Sequence, residues 1–285
     1  MIKEFINLGA WYANKLFDHP YCAIPPLIVS GVGRSGTTAL RMSLGIHSDV
    51  AYNRAENNIV MDILETGLHN CTYHSRKASM QMSQRKYDKV FRNLILNVLY
   101  PRPPLTISLP KRWMASSDIN PRLVGYLRQL FPNVRIVYLV RNGIEVVSSR
   151  MVFEGFKERP FEWQCEVWAK AEEMVRWGVE QDNFYLIRHD SLLDRESISH
   201  VFTDLWTWLG LKNDPRCADA LSTETYHPTK FPSEGSDTTM DLRRRKSRWE
   251  FWTDEQRDIF TNTCASAMRY FGYPIPWPVI AGKES

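Results

Sequence analysis

Gly31-Val32-Gly33-Arg34-Ser35-Gly36-Thr37-Thr38-Ala39-Leu40 follows directly on the apolar run Leu27-Ile28-Val29. The order is a short apolar strand, a turn with three glycines in six residues, and a helix opened by two threonines. Glycine lets the main chain adopt dihedrals closed to other residues and approach a ligand closely, so that consecutive N–H groups converge on one anion. A helix that starts there adds the positive end of its dipole. The stretch therefore reads as a cradle for a phosphate-like group, lined by Gly33, Arg34, Ser35, Gly36, Thr37 and Thr38. It carries too many hydroxyls, and a charge, for a turn whose only task is packing.

Gly31 and Gly36 have the G-x-x-x-x-G spacing of a P-loop, but Thr37 stands where an NTP-hydrolysing loop carries lysine. The fixed cation is Arg34 instead. Such NTPases also hold Mg²⁺ through a loop hydroxyl and an acid at the end of another strand. The second strand expected here, Ile136 to Val140, is followed by Arg141. An arginine beside the cradle suits a second phosphate and repels a metal. The pattern predicts a nucleotide with anionic groups at two places and no metal between them.

These residues resemble a family, the sulfotransferases that use 3′-phosphoadenosine-5′-phosphosulfate (PAPS). Arg34-Ser35-Gly36-Thr37-Thr38 after a strand is similar to their first motif, which binds the 5′-phosphosulfate. The strand RIVYLV ending at Arg141, with Ser149 eight residues on, is similar to their second, which binds the 3′-phosphate. The resemblance implies a single α/β domain over residues 1–285, with a core at about 27–273. It implies a central parallel sheet flanked by helices, the P-loop NTPase-like sulfotransferase fold. It also implies PAPS as sulfuryl donor, 3′,5′-ADP as product, no metal, and an acceptor hydroxyl or amine on a carbohydrate, a tyrosine or a small molecule.

Composition is compatible with that. Apolar residues make up 44% of 285, with 10 Trp, 12 Tyr and 13 Phe, enough for a sizeable core. A net charge of +4 favours an anionic ligand without demanding nucleic acid. The five cysteines, Cys22, Cys71, Cys165, Cys217 and Cys264, are scattered and lack C-x-x-C spacing, which argues against a zinc site or a disulfide framework and predicts a reducing, cytoplasmic setting. The opening stretch MIKEFINLGAWYANKLF mixes charges into its apolar residues. It predicts a helix over about 1–18 that packs on the domain and inserts in no membrane. Membership of a longer, membrane-anchored protein is not legible in the sequence, and neither is the oligomeric state.

Along the chain, strand and helix alternate, which predicts a parallel sheet with ligands at the carboxyl ends of its strands. Helices are expected from Gly36 to about Ile46, through Ile59 and Leu64, over Tyr87–Leu99, up to Leu130, after Asn142, over about 161–179, over 201–209, and over about 253–271. Strands are expected at Leu27–Ser30, Val50–Tyr52, Leu105–Leu109, Ile136–Val140 and Phe184–Ile187. The Trp163, Trp168 and Trp177 stripe reads as core. Residues 69–87 and 223–246 read as loops on the substrate side.

Transfer of a sulfuryl group takes an in-line approach, a base for the acceptor's proton, and positive charge beside the leaving phosphate. Arg34, Lys111 and the helix start are the expected stabilisers. Soluble small-molecule sulfotransferases carry a His in K-T-H-L-P; this chain reads Thr106-Ile107-Ser108-Leu109-Pro110 there. The opening GVGRSGTTALRMSLGIHSDV looks like the tyrosylprotein branch and its bacterial relatives, which use a Glu shortly after the first helix. Glu56 is the corresponding base candidate, with His189 and His47 in reserve. The cluster RRRKSRW from Arg243 to Trp249 resembles that branch's Ser-Lys-Trp element, which implies catalytic or nucleotide contacts for Arg245, Ser247 and Arg248. The branch's K-D-P reads Lys111-Arg112-Trp113 here. Two other classes fit the cradle alone. A P-loop kinase would turn over ATP with Mg²⁺, and a non-catalytic nucleotide-binding module would bind without transfer.

Overall fold

Leu27, Ile28 and Val29 are inaccessible to solvent because they form the middle strand of a parallel sheet covered on both faces. The computed structural model describes residues 25–52, 58–72, 83–99, 112–116, 118–222 and 248–278. In chain order these form β1 (Leu27–Ser30), α1 (Thr37–Leu44), β2 (Val50–Tyr52), α2 (Asn58–Thr72), α3 (Gln84–Leu99), β3 (Arg112–Ser116), α4 (Pro121–Leu130), β4 (Arg135–Val140) and α5 (Gly143–Arg150). There follow α6 (Phe161–Ala169), α7 (Ala171–Gly178), β5 (Phe184–Arg188), α8 (Arg195–Leu209), α9 (Pro215–Ser222) and α10 (Asp254–Tyr270). Short 3₁₀ turns occupy His189–Leu192 and Arg248–Phe251.

The five strands lie in the order β2-β3-β1-β4-β5, and every neighbouring pair is parallel. In register, Val29 stands beside Ser116 of β3 on one side and Val137 of β4 on the other. Side chains alternate across the sheet. Ile28, Trp113, Ala115, Ile136, Tyr138 and Val140 pack with α2, α3, α4, α5, α6, α7 and α10. Leu27, Val29, Met114, Val137, Leu139 and Ile187 pack with α1, α8 and α9. Among the described residues this is one α/β unit, and its strands deliver their carboxyl ends to one edge.

Local chemistry explains most element boundaries. Asn120 caps α4 by accepting from the Leu123 N–H at 2.9 Å, with Pro121 at the first helical position. Asn142 caps α5 through Ile144 N–H, and Thr253 with Gln256 forms a capping box on α10. Gly210 ends α8 in the left-handed region.

The structure departs from the sequence reading at four places. The strand next to β1 is Arg112–Ser116, whereas the expected stretch 105–109 lies outside the described residues. A central strand is buried on both faces, so β3 shows no polar alternation to betray it. α3 begins at Gln84, ahead of Tyr87, because Ser83 accepts from the Lys86 N–H. The helix expected over 161–179 divides at Lys170, where the Met174 N–H to Lys170 carbonyl bond lengthens to 3.4 Å. The apolar period runs through both halves and does not register that break. α9 was not anticipated; Asp214 at its head accepts from both the main-chain N–H and the guanidinium of Arg216. The expected N-terminal helix over 1–18 and the loop over 223–246 lie outside the described residues.

Candidate functional site

The glycine turn joins β1 to α1 at the carboxyl edge of the sheet. Three of its residues have positive φ: Gly31 at 147°, Arg34 at 83° and Gly36 at 100°. A Cβ at Gly31 would stand 2.4 Å from the Leu139 carbonyl oxygen, so glycine is obligatory there. Arg34 is the one residue other than glycine with positive φ among the described residues, a conformation that costs about 1–2 kcal/mol for an L-residue. Its own contacts hold it there. Its Nε donates to Ser149 Oγ at 3.1 Å, its guanidinium lies 4.3 Å over the Phe153 ring, and its carbonyl accepts from Arg141 Nη1 at 3.4 Å. The two anion motifs, 115 positions apart for Arg34 and Ser149, are thereby one site.

The turn is shaped for an anion. Gly36 caps α1 without offering a side chain, and the first turn of that helix carries no acid. The positive end of the helix dipole therefore faces the turn without a capping side chain from Gly36. Ser35 is 1% exposed, and its Oγ has no hydrogen-bond partner among the described residues. A buried orphan hydroxyl in such a turn fits a ligand oxygen.

Arg141 closes the second side. It follows β4, and its guanidinium pairs with Glu145 one helical turn on, at 2.6 Å. Its carbonyl accepts from the Trp168 indole at 3.0 Å, which ties α6 to the site. Trp168 itself is fully buried, as the aromatic stripe predicted. His189 follows β5 and sits beside Gly36. Burial, reinforced by the Arg141 charge, brings its imidazole down to about 4, against the opposing pull of Asp190.

Two further residues were not singled out from sequence. Arg150, 2% exposed, donates to Gln164 Oε1 at 2.6 Å and to the Gly33 carbonyl at 3.4 Å. Its guanidinium is stacked 4.0 Å over Phe156, whose carbonyl accepts from Gln164. Burial lowers its pKa to about 10, opposed by Asp118. This cluster braces the glycine turn from below, and nothing local in the sequence marks an arginine beside Ser149 as buried. Asp118 comes just after β3. The N–H of the next residue, Ile119, bonds Ser30 Oγ at 3.3 Å, which sets Asp118 near the carboxyl end of β1. Burial raises the pKa of the Asp118 carboxyl, Arg150 pulling the other way. An acid thus does stand at the end of a strand next to β1, contrary to the reading from β4 alone, but it stands in the field of Arg150.

Of the sequence candidates, Gly33, Arg34, Ser35, Gly36, Thr37, Thr38, Arg141 and Ser149 come together at this edge. Glu56, Lys111, Arg245 and Ser247 lie outside the described residues. Arg112, adjoining Lys111, starts β3 at its amino end, where it bonds the Pro25 and Leu209 carbonyls. That end faces away from the turn. Arg248 opens the 3₁₀ turn Arg248–Phe251, which packs on α5, the helix carrying Ser149. His47 is buried against Trp206, with Nε2 on the Lys212 carbonyl and Nδ1 accepting from the Asp49 N–H. It is a structural residue with both nitrogens engaged. No helix among the described residues is long and apolar enough to cross a membrane.

Comparison with known proteins bears on the family and the fold. The chain is 24% identical over 157 residues to a protein-tyrosine sulfotransferase of Drosophila melanogaster, covering 53% of this chain and 31% of that protein. It is 25% identical over 173 residues to protein-tyrosine sulfotransferase 1 of Mus musculus, covering 57% and 44%. The matched part is thus less than half the length of these relatives. In fold, it resembles the sulfotransferase domain of the Synechococcus PCC 7002 olefin synthase, with a TM-score of 0.53 at 15% identity over 88% of this chain and 96% of that one. It also resembles a mouse sulfotransferase solved in complex with PAP, with a TM-score of 0.50 at 14% identity over 90% and 88%. The sequence profile described as the Sulfotransferase family matches residues 25–215, more than half of the chain, and the chain belongs to that family.

Proposed function

We propose that this chain transfers a sulfuryl group from PAPS to a hydroxyl or amine of an acceptor, by in-line displacement and without a metal. The observation that carries the reading is the Arg34–Ser149 contact, which makes one site of two anion-binding motifs. PAPS supplies an activated sulfuryl group and leaves as 3′,5′-ADP.

The chain's own part is positioning and charge. The start of α1, with Ser35, Thr37 and Thr38, holds the 5′ anion. Arg141 and Ser149 hold the 3′-phosphate, and Arg34 spans the two. Arg245, Ser247 and Arg248 approach the nucleotide from the segment that leads into the turn against α5. Glu56 takes the acceptor's proton as the new O–S or N–S bond forms and the bond to the leaving phosphate breaks. Lys111, with Arg34, stabilises the negative charge that grows on the leaving phosphate. The relatives' names point to a peptide tyrosine as one acceptor, beside carbohydrates and small molecules.

One titration tests the reading. 3′,5′-ADP should bind without metal and more tightly than ATP with Mg²⁺. Equal or weaker binding removes it in favour of a P-loop kinase, for which Asp118 would be the acid beside the loop. Acceptor screening with labelled PAPS then separates an enzyme from a module that only binds.

A further inference from the structure

We propose that His189 is a proton-dependent member of the anion site, taking up a proton as an anion settles on the glycine turn. The inference rests on the reading of that turn as a nucleotide site, and it adds pH control to it.

Position carries the argument. Val140 pairs with Arg188, so the next residues, Arg141 and His189, emerge side by side from the carboxyl ends of β4 and β5. The His189 ring lies against Gly36, with Cδ2 3.2 Å and Nε2 3.6 Å from where a Gly36 Cβ would stand. Gly36 is the cap of α1. The imidazole edge therefore lies against the cap of α1 and within the field of Arg141, the two sources of positive potential that the anion is expected to meet.

The same two sources help to hold the ring neutral near pH 7. A protonated imidazole would face the Arg141 guanidinium and a helix N-terminus, and partial burial removes water that could offset them. The charged and titratable groups around it are Arg141 with its partner Glu145, Arg188 and Asp190 flanking it in sequence, Tyr273 beside Asp190, and Arg34 in the turn. Asp190 alone favours the charged ring, and its pull is already shared with Arg188. A phosphate or sulfate on the turn reverses the balance. It screens Arg141, satisfies the helix start, and places negative charge within reach of the ring. No bond is made or broken; one proton passes from solvent to the imidazole, which becomes a cationic donor to the anion.

Affinity should then rise as pH falls, by up to about tenfold per pH unit where a whole proton is taken up. Titration calorimetry of 3′,5′-ADP near pH 6 in two buffers of different ionisation enthalpy counts the protons exchanged. The ligand's own phosphates exchange protons too, so the readout is the difference between the wild type and His189→Gln. Wild type should take up clearly more protons per ligand, approaching one. A histidine-selective NMR titration of the wild-type chain, with and without 3′,5′-ADP, should show one imidazole titrating at higher pH in the complex. This second measurement needs no variant to fold.

Pyrophosphate serves as a second probe. Extra uptake with pyrophosphate, but no binding of 3′,5′-ADP, would retain the proton coupling and remove the nucleotide reading. Equal proton counts in the wild type and variant, no shifted imidazole, or no binding of either anion would overturn the proposal.

Discussion

Arg34 Nε and Ser149 Oγ are joined at 3.1 Å, and the arginine holds that bond from a left-handed backbone conformation, φ 83°. Strain at one position is thus balanced by a contact to a helix on the other side of β4. The arrangement lets two properties of Arg34 be tested apart: the ligand contact proposed for its side chain, and a backbone that only needs a residue tolerating positive φ.

Arg34→Gly tests that separation. Glycine takes the same φ without penalty, so the relief of strain offsets the lost Ser149 bond, and stability should stay within about 1 kcal/mol of wild type. Affinity for 3′,5′-ADP should fall by roughly 10- to 100-fold, the value of a charge-assisted hydrogen bond of about 1.5–3 kcal/mol. Calorimetric binding beside denaturant unfolding measures both. Unchanged affinity would exclude Arg34 from the ligand.

Glu145 competes for Arg141. Their pair is partly solvent-exposed, with side chains 28% and 48% accessible, so it contributes little to the fold. Glu145→Gln should free the guanidinium and tighten 3′,5′-ADP binding by about two- to fivefold at low salt, the equivalent of roughly 0.5–1 kcal/mol. Because screening weakens exposed pairs, the gain should shrink at 1 M salt. Weaker binding would mean that Glu145 orients Arg141 instead of occupying it.

His189 also predicts a pH-dependent stability. Its folded value of about 4 lies below the unfolded 6.5, so as pH falls the unfolded chain takes up the proton first. The stability associated with the neutral ring is intact above about 6.5 and is lost progressively down to about 4, by an amount on the order of 2–3 kcal/mol. Denaturant unfolding at pH 7 and pH 4.5 should therefore differ less in His189→Gln than in wild type. An equal difference in both would place the ring in water.

The proton acceptor is tested by turnover. Glu56→Gln should lower kcat by roughly 10²- to 10⁴-fold while leaving 3′,5′-ADP affinity near wild type. Asp118→Asn, assayed in parallel, should lower kcat less than tenfold, since Arg150 stands in its field. A loss confined to Asp118→Asn would transfer the role to that residue, the acid next to Ile119, whose N–H bonds Ser30 Oγ.

The glycine turn, the strand before it, the strand ending at Arg141 and the Asn120 and Asn142 caps were legible because each is a local requirement. Positive φ, an apolar run and a side chain that bonds an N–H two or three residues on are written within a few positions. β3 was not read from the sequence, for the opposite reason. Nothing within Arg112–Ser116 announces a strand, and only pairing with β1 and β2 makes it one.

The sequence by itself determined that an anion would be held between a strand and a helix, and which main-chain and hydroxyl groups would hold it. Only the tertiary structure decided that Arg34 meets Ser149, that Arg150 and Gln164 brace Gly33 from beneath, and that His189 stands beside Arg141 at the cap of α1. Backbone geometry is set by neighbours along the chain, whereas the electrostatics of a site depend on strand order, which brings distant residues to one edge of the sheet.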